Sequence, residues 1–338
     1  MEKSCRKPDC LNTIRLIAAL QVLYVHATIH LHLSMPEPVT AVIGFFKGVP
    51  IFFMLSGFLI WFSIGRYNSF GEYARRRFWR IYPELWCAII VEAVVVVCLI
   101  GTPIDWGGMI LFLVGQGTCF QFWTPDFLCG YGCGVPNGAL WTICVLIQWY
   151  LCAFLFYRFL HGRSLIRWFV VLVPMIALGV VSGWCKSETL FFKVYENTFL
   201  PYCWMFLLAA FFAEHVQVIR PMAVRYWYVL VALTVMTMMM GYDMRALRYG
   251  VLNTIFLFLS CLGIGYAFPK VNIKTDISYG VYIYHMTIVN AMIVFGIGRY
   301  NGWLAFMALG AVMALSGTLA WLSTRFVGAG RMWGLRAA

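Results

Sequence analysis

The sequence has little charge for its length. Of its 338 residues only 11% are charged and just 13 are Asp or Glu, whereas 62% are hydrophobic. A soluble domain carries about 25% charged residues, and a soluble chain this apolar would expose very large hydrophobic patches. The composition therefore excludes a soluble globular protein and a disordered one. It predicts that lipid surrounds much of the surface.

The cysteines lack the spacing of a metal site. There is no CxxC pair among the 12 cysteines, and those inside apolar runs are expected to pack as small hydrophobes. Cys119, Cys129 and Cys133 share one segment that we place outside the cytoplasm, where two of the three could form a disulfide; which two stays open. The net charge of +12 is explained below by membrane topology. We therefore expect neither a metal nor a nucleic-acid partner.

Apolar runs recur along the chain at the length of a membrane span. A spanning helix needs about 20 mostly apolar residues, and ten runs meet that requirement. They predict an all-α, polytopic integral membrane protein with a single transmembrane domain, 1–338, and no appended soluble domain. The segment 107–123 is broken by glycines and is predicted to be a loop or a re-entrant piece. The predicted spans are 11–33, 41–64, 83–101, 138–160, 165–184, 197–215, 226–243, 249–268, 277–297 and 302–324.

The distribution of basic residues predicts the orientation. With the N-terminus inside, the inner segments hold 19 of the 25 Lys and Arg residues, the outer segments hold 5, and Lys47 lies within the second span. Basic residues gather on the cytoplasmic side of membrane proteins, so we expect both termini in the cytoplasm. The expected location is the cytoplasmic (inner) membrane, with membrane lipid as a partner. The oligomeric state stays open, and a homo-oligomer is compatible with the sequence.

The first predicted span carries two basic side chains on one face. Arg15 and His26 are eleven residues apart, which brings them to within about 20° of each other around a helix. A rise of about 16 Å places Arg15 near the inner surface and His26 near mid-membrane. Ionisable residues inside a membrane helix are functional candidates by default, although Arg15 could also extend to the headgroups. His30 and His32 follow and are expected to be surface histidines at the outer mouth.

A basic stretch precedes the third predicted span. Arg77 and Arg80 are one turn apart if this stretch is helical, and paired guanidinium groups suit phosphates. Trp79 lies between them and could stack on a base. The alternative is that the arginines only anchor the inner end of the span. Pro83 is expected in the first helical turn of that span.

Three further spans carry polar or small residues. Ser56 and Gly57 near the end of the second span permit close helix packing. Tyr282 and His285 on the ninth span are one turn apart and can contact the same ligand. Glu92 is the carboxylate centred in a span, and it is either a functional group or a hydrogen-bonded packing residue.

These motifs together resemble the acyltransferase 3 family, membrane O-acyltransferases that modify bacterial surface sugars and related glycans. The resemblance extends in order over nearly the whole chain. Leu146 is a departure, because the family usually has glutamate there, and we consider Glu92 as a substitute. The matching motifs are Arg-x10-His (Arg15, His26), FF-x-x-SGF (Phe52 to Phe58), Arg-x-x-Arg before IYP (Arg77, Arg80, Pro83), LWT opening the fourth span (Trp141, with Gln148 and Tyr150 following) and SY-x-x-Y-x-x-H (Ser278, Tyr279, Tyr282, His285).

The resemblance implies an enzyme that moves an acyl group, most often acetyl, from cytoplasmic acyl-CoA to a hydroxyl of a cell-surface or lipid-linked glycan. Acetyl-CoA would be the co-substrate, and no metal is implied. The CoA phosphates would bind Arg77, Arg80 and Arg15. His26 would be the general base or would relay the acyl group.

In the same interpretation, Tyr282 and His285 would orient the acceptor or stabilise the oxyanion. The alternative is a transporter or flippase of a lipid-linked glycan or a small anion. Transport explains a buried arginine and histidine equally well. It does not explain the cytoplasmic Arg-x-x-Arg pair, and inverted repeats are not visible in the sequence.

Overall fold

The structure is a computed structural model that describes residues 10–185, 187–240, 245–269, 271 and 273–336. Five of the basic residues counted for the orientation lie outside these residues: Lys3, Arg6, Lys7, Lys186 and Lys270. Residues 241–243 of the seventh predicted span also lie outside them. The described helices are α1 (Leu11–His30), α2 (Glu37–Phe45), α3 (Gly48–Ile64), α4 (Phe70–Leu99), α5 (Trp106–Gly117), α6 (Trp141–Leu160), α7 (Leu165–Trp184), α8 (Leu190–Tyr195), α9 (Cys203–Glu214), α10 (Val216–Arg225), α11 (Trp227–Met240), α12 (Val251–Ala267), α13 (Ser278–Val294) and α14 (Gly302–Arg336). Short 3-10 turns span Asp126–Leu128 and Leu200–Tyr202, and strands β1 (Arg245–Ala246) and β2 (Tyr249–Gly250) pair antiparallel.

The all-α membrane architecture is confirmed. Every predicted span contains a helix, because a long apolar run in lipid must satisfy its backbone hydrogen bonds internally. Within the described residues, six helical segments are long and apolar enough to cross a membrane. There are seven if α9 and α10, which are bent by 95° at their junction, form one span. Ten spans and cytoplasmic termini stay predictions.

Helix α4 begins earlier than the sequence predicted. It runs unbroken from Phe70 to Leu99 with Pro83 in its interior, so the placement of Pro83 in a first helical turn was wrong. An interior proline removes one backbone hydrogen bond, but membrane helices tolerate it where neighbouring groups satisfy the backbone. The arginine-rich stretch is consequently helical, as the spacing of Arg77 and Arg80 required.

Helix α5 occupies part of the segment predicted to be a loop or a re-entrant piece. The loop interpretation was wrong for Trp106–Gly117, which is helical. At 12 residues the helix is about 18 Å long, well short of the bilayer core of about 30 Å, and this fits the re-entrant alternative. Met109 and Phe112 are buried with Leu128 and Tyr131, and that packing offsets the low helix propensity of glycine.

The three cysteines near α5 are free thiols. Cys119 and Cys129 are exposed and Cys133 is half-buried. The disulfide considered from the sequence is therefore not formed among them in this structure. The Cys133 backbone N–H instead donates to the side chain of Asn290 on α13 (2.8 Å).

The chain divides into two compact units, each built from separate stretches. The first unit contains the chain up to Arg15, Phe45–Ala74 and Val145–Lys274; the second contains Leu16–Gly44, Arg75–Cys144 and the chain from Thr275 onward. The prediction of a single transmembrane domain stays a prediction.

The first unit depends on close packing of α3 against α9. A Cβ atom at Gly57 would collide with the backbone carbonyl of Phe206, so the glycine permits the approach of the two helices. Phe206 also packs against Phe53 and Trp149, with ring centroids 4.9 and 5.0 Å away. Gly57 therefore has the packing role that the sequence offered for it.

A carboxylate at the end of α9 joins three segments of the first unit. Glu214 accepts hydrogen bonds from the Trp61 indole N–H (2.6 Å) and the Gly162 backbone N–H (2.8 Å). Its other contact is His161, whose Nδ1 lies 2.9 Å from the carboxylate. The carboxylate thereby ties α3 and the α6–α7 turn to the bend between α9 and α10.

Replacing Glu214 by alanine is expected to lower the free energy of unfolding by about 2–4 kcal/mol, because the buried Trp61 N–H loses a charged acceptor and the contacts with Gly162 and His161 are lost as well. Thermal unfolding in detergent measures the loss. The matched control is Glu188→Ala. Glu188 pairs with Lys193 at 3.4 Å, but both side chains are largely exposed, so a change of about 0.5 kcal/mol or less is expected. Equal effects of the two substitutions would contradict this interpretation.

Candidate active site

Two histidines from distant parts of the sequence meet inside the second unit. The Nδ1 atom of His26 on α1 lies 2.8 Å from the Nε2 atom of His285 on α13. Their rings are stacked, with centroids 5.0 Å apart and an interplanar angle of 22°. His285 is fully buried, and His26 is half-buried. We call these two side chains the imidazole pair.

The hydrogen bonds determine which nitrogen of the imidazole pair is basic. The Nδ1 atom of His285 lies 2.7 Å from the carbonyl oxygen of Tyr282, which can only accept, so this nitrogen carries the proton. In the neutral ring the Nε2 atom of His285 is then an acceptor, and His26 donates its Nδ1–H to it. The Nε2 atom of His26 is left with a lone pair. The pair therefore presents one oriented basic nitrogen.

Arg15 stands on the same helix as His26. Helix α1 is unbroken from Leu11 to His30, so the helical spacing assumed from the sequence applies to both residues. The Arg15 side chain is half-buried. His30, one turn beyond His26, lies with its ring centroid 5.9 Å from that of His26.

Two of the sequence motifs meet at the start of α6. The Tyr282 hydroxyl donates to the carbonyl of Ala139 (3.1 Å) and lies 2.7 Å from the hydroxyl of Thr142. Tyr282 is only 5% exposed. We therefore interpret Tyr282 as holding α13 in place beside the imidazole pair, and its contact with an acceptor stays a prediction.

Two asparagines attach the segment before α6 to α13. The Asn137 side-chain N–H donates to the carbonyl of Ile283 (2.8 Å). Asn290 donates to the carbonyl of Pro136 (2.7 Å) and accepts from the backbone N–H of Cys133 (2.8 Å). Neither residue is among the candidates predicted from the sequence, because an ionisable group is the most costly kind in a membrane span and gives the stronger signal. The signal that both residues do carry is an amide side chain inside or next to a span.

The proposed phosphate-binding residues lie on α4 in the second unit. Arg80 is exposed, Trp79 is 41% exposed and Arg77 is half-buried. Because α4 is helical here, the two arginines are one turn apart. The Tyr279 hydroxyl donates to the carbonyl of Ile81 (3.3 Å), which connects the start of α13 to this part of α4.

The remaining predicted residues have structural surroundings of their own. Gln148 accepts from the backbone N–H of Phe199 (3.1 Å), which connects α6 to the segment before α9. Ser56, Gly57 and Tyr150 also belong to the first unit. The hydrogen-bonded group around the imidazole pair is built from the second unit.

Trp141, Leu146 and Glu92 complete the set. Trp141 is the first residue of α6, and Leu146, where the resemblance expects glutamate, lies on the same helix. Glu92 on α4 is 1% exposed. Neither of its carboxyl oxygens has a hydrogen-bond partner among the residues that the structure describes, so no hydrogen bond joins Glu92 to the imidazole pair.

The chain is similar to known proteins over most of its length. A protein family described as an acyltransferase domain matches residues 9–324. The chain is 26% identical over 326 residues to Nodulation protein 10 of Rhizobium leguminosarum bv. viciae, and the match covers 86% of each protein. It is 27% identical over 311 residues to a Shigella phage Sf6 protein named O-acetyl transferase, covering 85% of this chain and 86% of the relative. No solved structure matches the chain significantly.

Proposed function

Because the chain belongs to the acyltransferase 3 family of membrane acyltransferases, we propose that it transfers an acetyl group from cytoplasmic acetyl-CoA to a hydroxyl of a cell-surface or lipid-linked glycan. The observation that carries the proposal is the oriented basic nitrogen of the imidazole pair. The relative named O-acetyl transferase supports acetyl as the acyl group. The basic residues of the inner segments support the cytoplasmic membrane as its location.

His26 is the general base in this proposal. Its Nε2 atom takes the proton of the acceptor hydroxyl while that oxygen attacks the thioester carbonyl. The new C–O bond forms, the C–S bond breaks, and the proton passes to the leaving sulfur, so that the free thiol is released.

His285 acts through His26. When His26 is protonated, its Nδ1–H still donates to the Nε2 atom of His285, which holds the ring and stabilises the positive charge. This is the orienting role that a third residue has in a catalytic triad. A neutral imidazole is a weaker acceptor than a carboxylate, but it adds no second charge to a site in the membrane.

The donor binds at the inner surface through α4. Arg77 and Arg80 can pair with the phosphates of CoA, and Trp79 offers a face for the adenine ring. Arg15, on the helix that carries His26, is the third cation assigned to the donor. Leu146 cannot take part in proton transfer, so the proposal assigns the proton to His26 alone.

The test uses the purified protein in vesicles that contain bacterial polyprenyl-linked oligosaccharides and acetyl-CoA labelled in the acetyl group. Label in the glycan together with release of free CoA thiol is the expected result. Movement of glycan across the membrane without thiol release would overturn the proposal in favour of a flippase. His26→Ala and Arg77→Ala proteins should release less thiol than the wild type.

A further inference from the structure

His26 has a second imidazole neighbour besides His285. His30 stands one turn further along α1, and its ring centroid lies 5.9 Å from that of His26 with an interplanar angle of 58°. This turn is nearer to the end of α1 for which the basic residues predict the outer side. All three histidines belong to the second unit. A molecule that binds at His26 from the outer side is therefore within reach of His30.

His30 differs in its hydrogen bonds from the other polar side chains at this end of α1. The Thr28 hydroxyl donates to the carbonyl of Tyr24 at 2.8 Å, and His26 is bonded to His285. His30 is half-buried, yet neither of its ring nitrogens has a hydrogen-bond partner among the residues that the structure describes. A polar group in a membrane helix is costly unless a partner satisfies it. The His30 ring therefore has one donor and one acceptor left for a ligand.

The end of α1 that carries His30 is attached to the segment that follows α13. The carbonyl of Leu31 accepts a hydrogen bond from the backbone N–H of Arg299 (2.7 Å), and the backbone N–H of Ser34 donates to the carbonyl of Tyr300 (2.8 Å). These bonds satisfy backbone groups that the end of a helix leaves without partners. Because α13 carries one member of the imidazole pair, the bonds also fix the position of His30 relative to that pair. A binding group on a well-held helix gives a more precise site than one on a loop.

A neutral imidazole suits a hydroxyl group as its ligand. The ring offers one N–H donor and one lone pair, and a hydroxyl group likewise both accepts and donates. The basic nitrogen of His26 already takes the hydroxyl that reacts. Each hydrogen bond spans about 2.8–3 Å, so rings with centroids 5.9 Å apart can bind two hydroxyl groups on adjacent carbons of one sugar ring. An isolated hydroxyl would leave His30 without a partner.

We propose that His30 binds the hydroxyl group next to the one that is acetylated, so that the acceptor is a sugar residue with free hydroxyl groups on two adjacent carbons. The inference rests on the proposed function, because it names the substrate class of the same site. It assigns His30 to the choice of acceptor, whereas His26 removes the proton. No atom of His30 takes part in making or breaking a covalent bond.

The first test locates the acetyl group in the product. The oligosaccharide acetylated in the vesicle assay is analysed by NMR, which identifies the carbon that carries the acetyl ester. A carbon next to it should carry a free hydroxyl group. An acetyl group without such a neighbour would overturn the inference and would leave the proposed function intact.

The kinetic test compares His30→Phe with His30→Gln in the full-length protein. Phenylalanine keeps a ring beside His26 but has no hydrogen-bonding nitrogen, whereas the glutamine amide keeps a donor and an acceptor. A hydroxyl left without its partner costs a factor of about 10 to 100, so His30→Phe should raise the KM for the oligosaccharide by that factor. The kcat and the KM for acetyl-CoA should change by less than about twofold, because His30 holds the acceptor equally in the ground state and the transition state. His30→Gln should recover most of the loss.

A deoxy acceptor shows whether His30 acts through the neighbouring hydroxyl. When that hydroxyl is replaced by hydrogen, the wild type should lose as much affinity for the oligosaccharide as His30→Phe does, and His30→Phe should lose no more. The matched control is His32→Asn, which removes an exposed imidazole two residues away and should keep the wild-type KM. Additive effects of His30→Phe and the deoxy acceptor would overturn the inference.

A binding measurement does not require turnover. In wild-type protein labelled with 15N-histidine, the imidazole signals of His30 should shift when the polyprenyl-linked oligosaccharide is added, and those of His32 should not. If no acetyl group is transferred, the proposed function fails and these signals still test the sugar contact of His30. Unchanged His30 signals would overturn the inference in either case. Because this measurement uses the wild type, it also decides the question if His30→Phe does not fold.

Discussion

Replacing His26 by alanine is expected to lower kcat by about 10²- to 10⁴-fold, the usual contribution of a positioned general base. The reason is the hydrogen-bond order of the imidazole pair, which leaves the lone pair on the Nε2 atom of His26. The KM for acetyl-CoA should change little, because the imidazole acts on the acceptor hydroxyl. Release of free CoA thiol in vesicles that contain the oligosaccharide acceptor measures the effect.

The control for His26 is a histidine two residues beyond the end of α1. His32 is exposed and has a positive φ of 50°, a conformation that asparagine tolerates, so His32→Asn removes an imidazole without straining the backbone. Its kcat should equal that of the wild type. A His26→Ala protein with wild-type kcat would contradict the assignment of the general base.

The double substitution Arg77→Ala/Arg80→Ala is expected to raise the KM for acetyl-CoA by about 100-fold or more. Each charge-assisted hydrogen bond contributes about 1.5–3 kcal/mol, and about 1.4 kcal/mol corresponds to a factor of ten. The kcat at saturation should stay near that of the wild type, because the phosphates are bound equally in the ground state and the transition state.

A donor without phosphates separates specific binding from general attraction. With acetyl-pantetheine, which lacks the nucleotide of CoA, the wild type and the double variant should have the same KM. The control Arg75→Ala/Arg76→Ala removes two exposed arginines from the same helix. It should raise the KM for acetyl-CoA by less than about threefold, since exposed guanidinium groups that do not pair with the phosphates act only through attraction that the solvent screens. An equal effect of both double substitutions would show that only the net charge matters.

The sequence alone predicted much of the local structure and the chemistry of the site. Long apolar runs predict helices because a backbone in lipid must satisfy its own hydrogen bonds. The spacing of Arg77 and Arg80, or of Tyr282 and His285, is likewise a property of one helix. The exceptions are also local. The sequence predicted Pro83 at the start of a helix, but it lies inside α4. It predicted one span over 41–64, but Lys47 lies between α2 and α3. Whether a helix continues through such a residue depends on the groups that surround it.

Contacts between helices were determined by the tertiary structure. In a soluble protein an apolar stripe shows which face of a helix is buried, but lipid is as apolar as the protein interior, so the faces of a membrane helix are hard to distinguish. The sequence therefore identified Arg15, His26 and His285 as costly residues in the membrane without showing which would meet. Only the packing of α1 against α13 placed His26 and His285 in contact and oriented the basic nitrogen. It also brought Asn137 to the turn of α13 that carries His285.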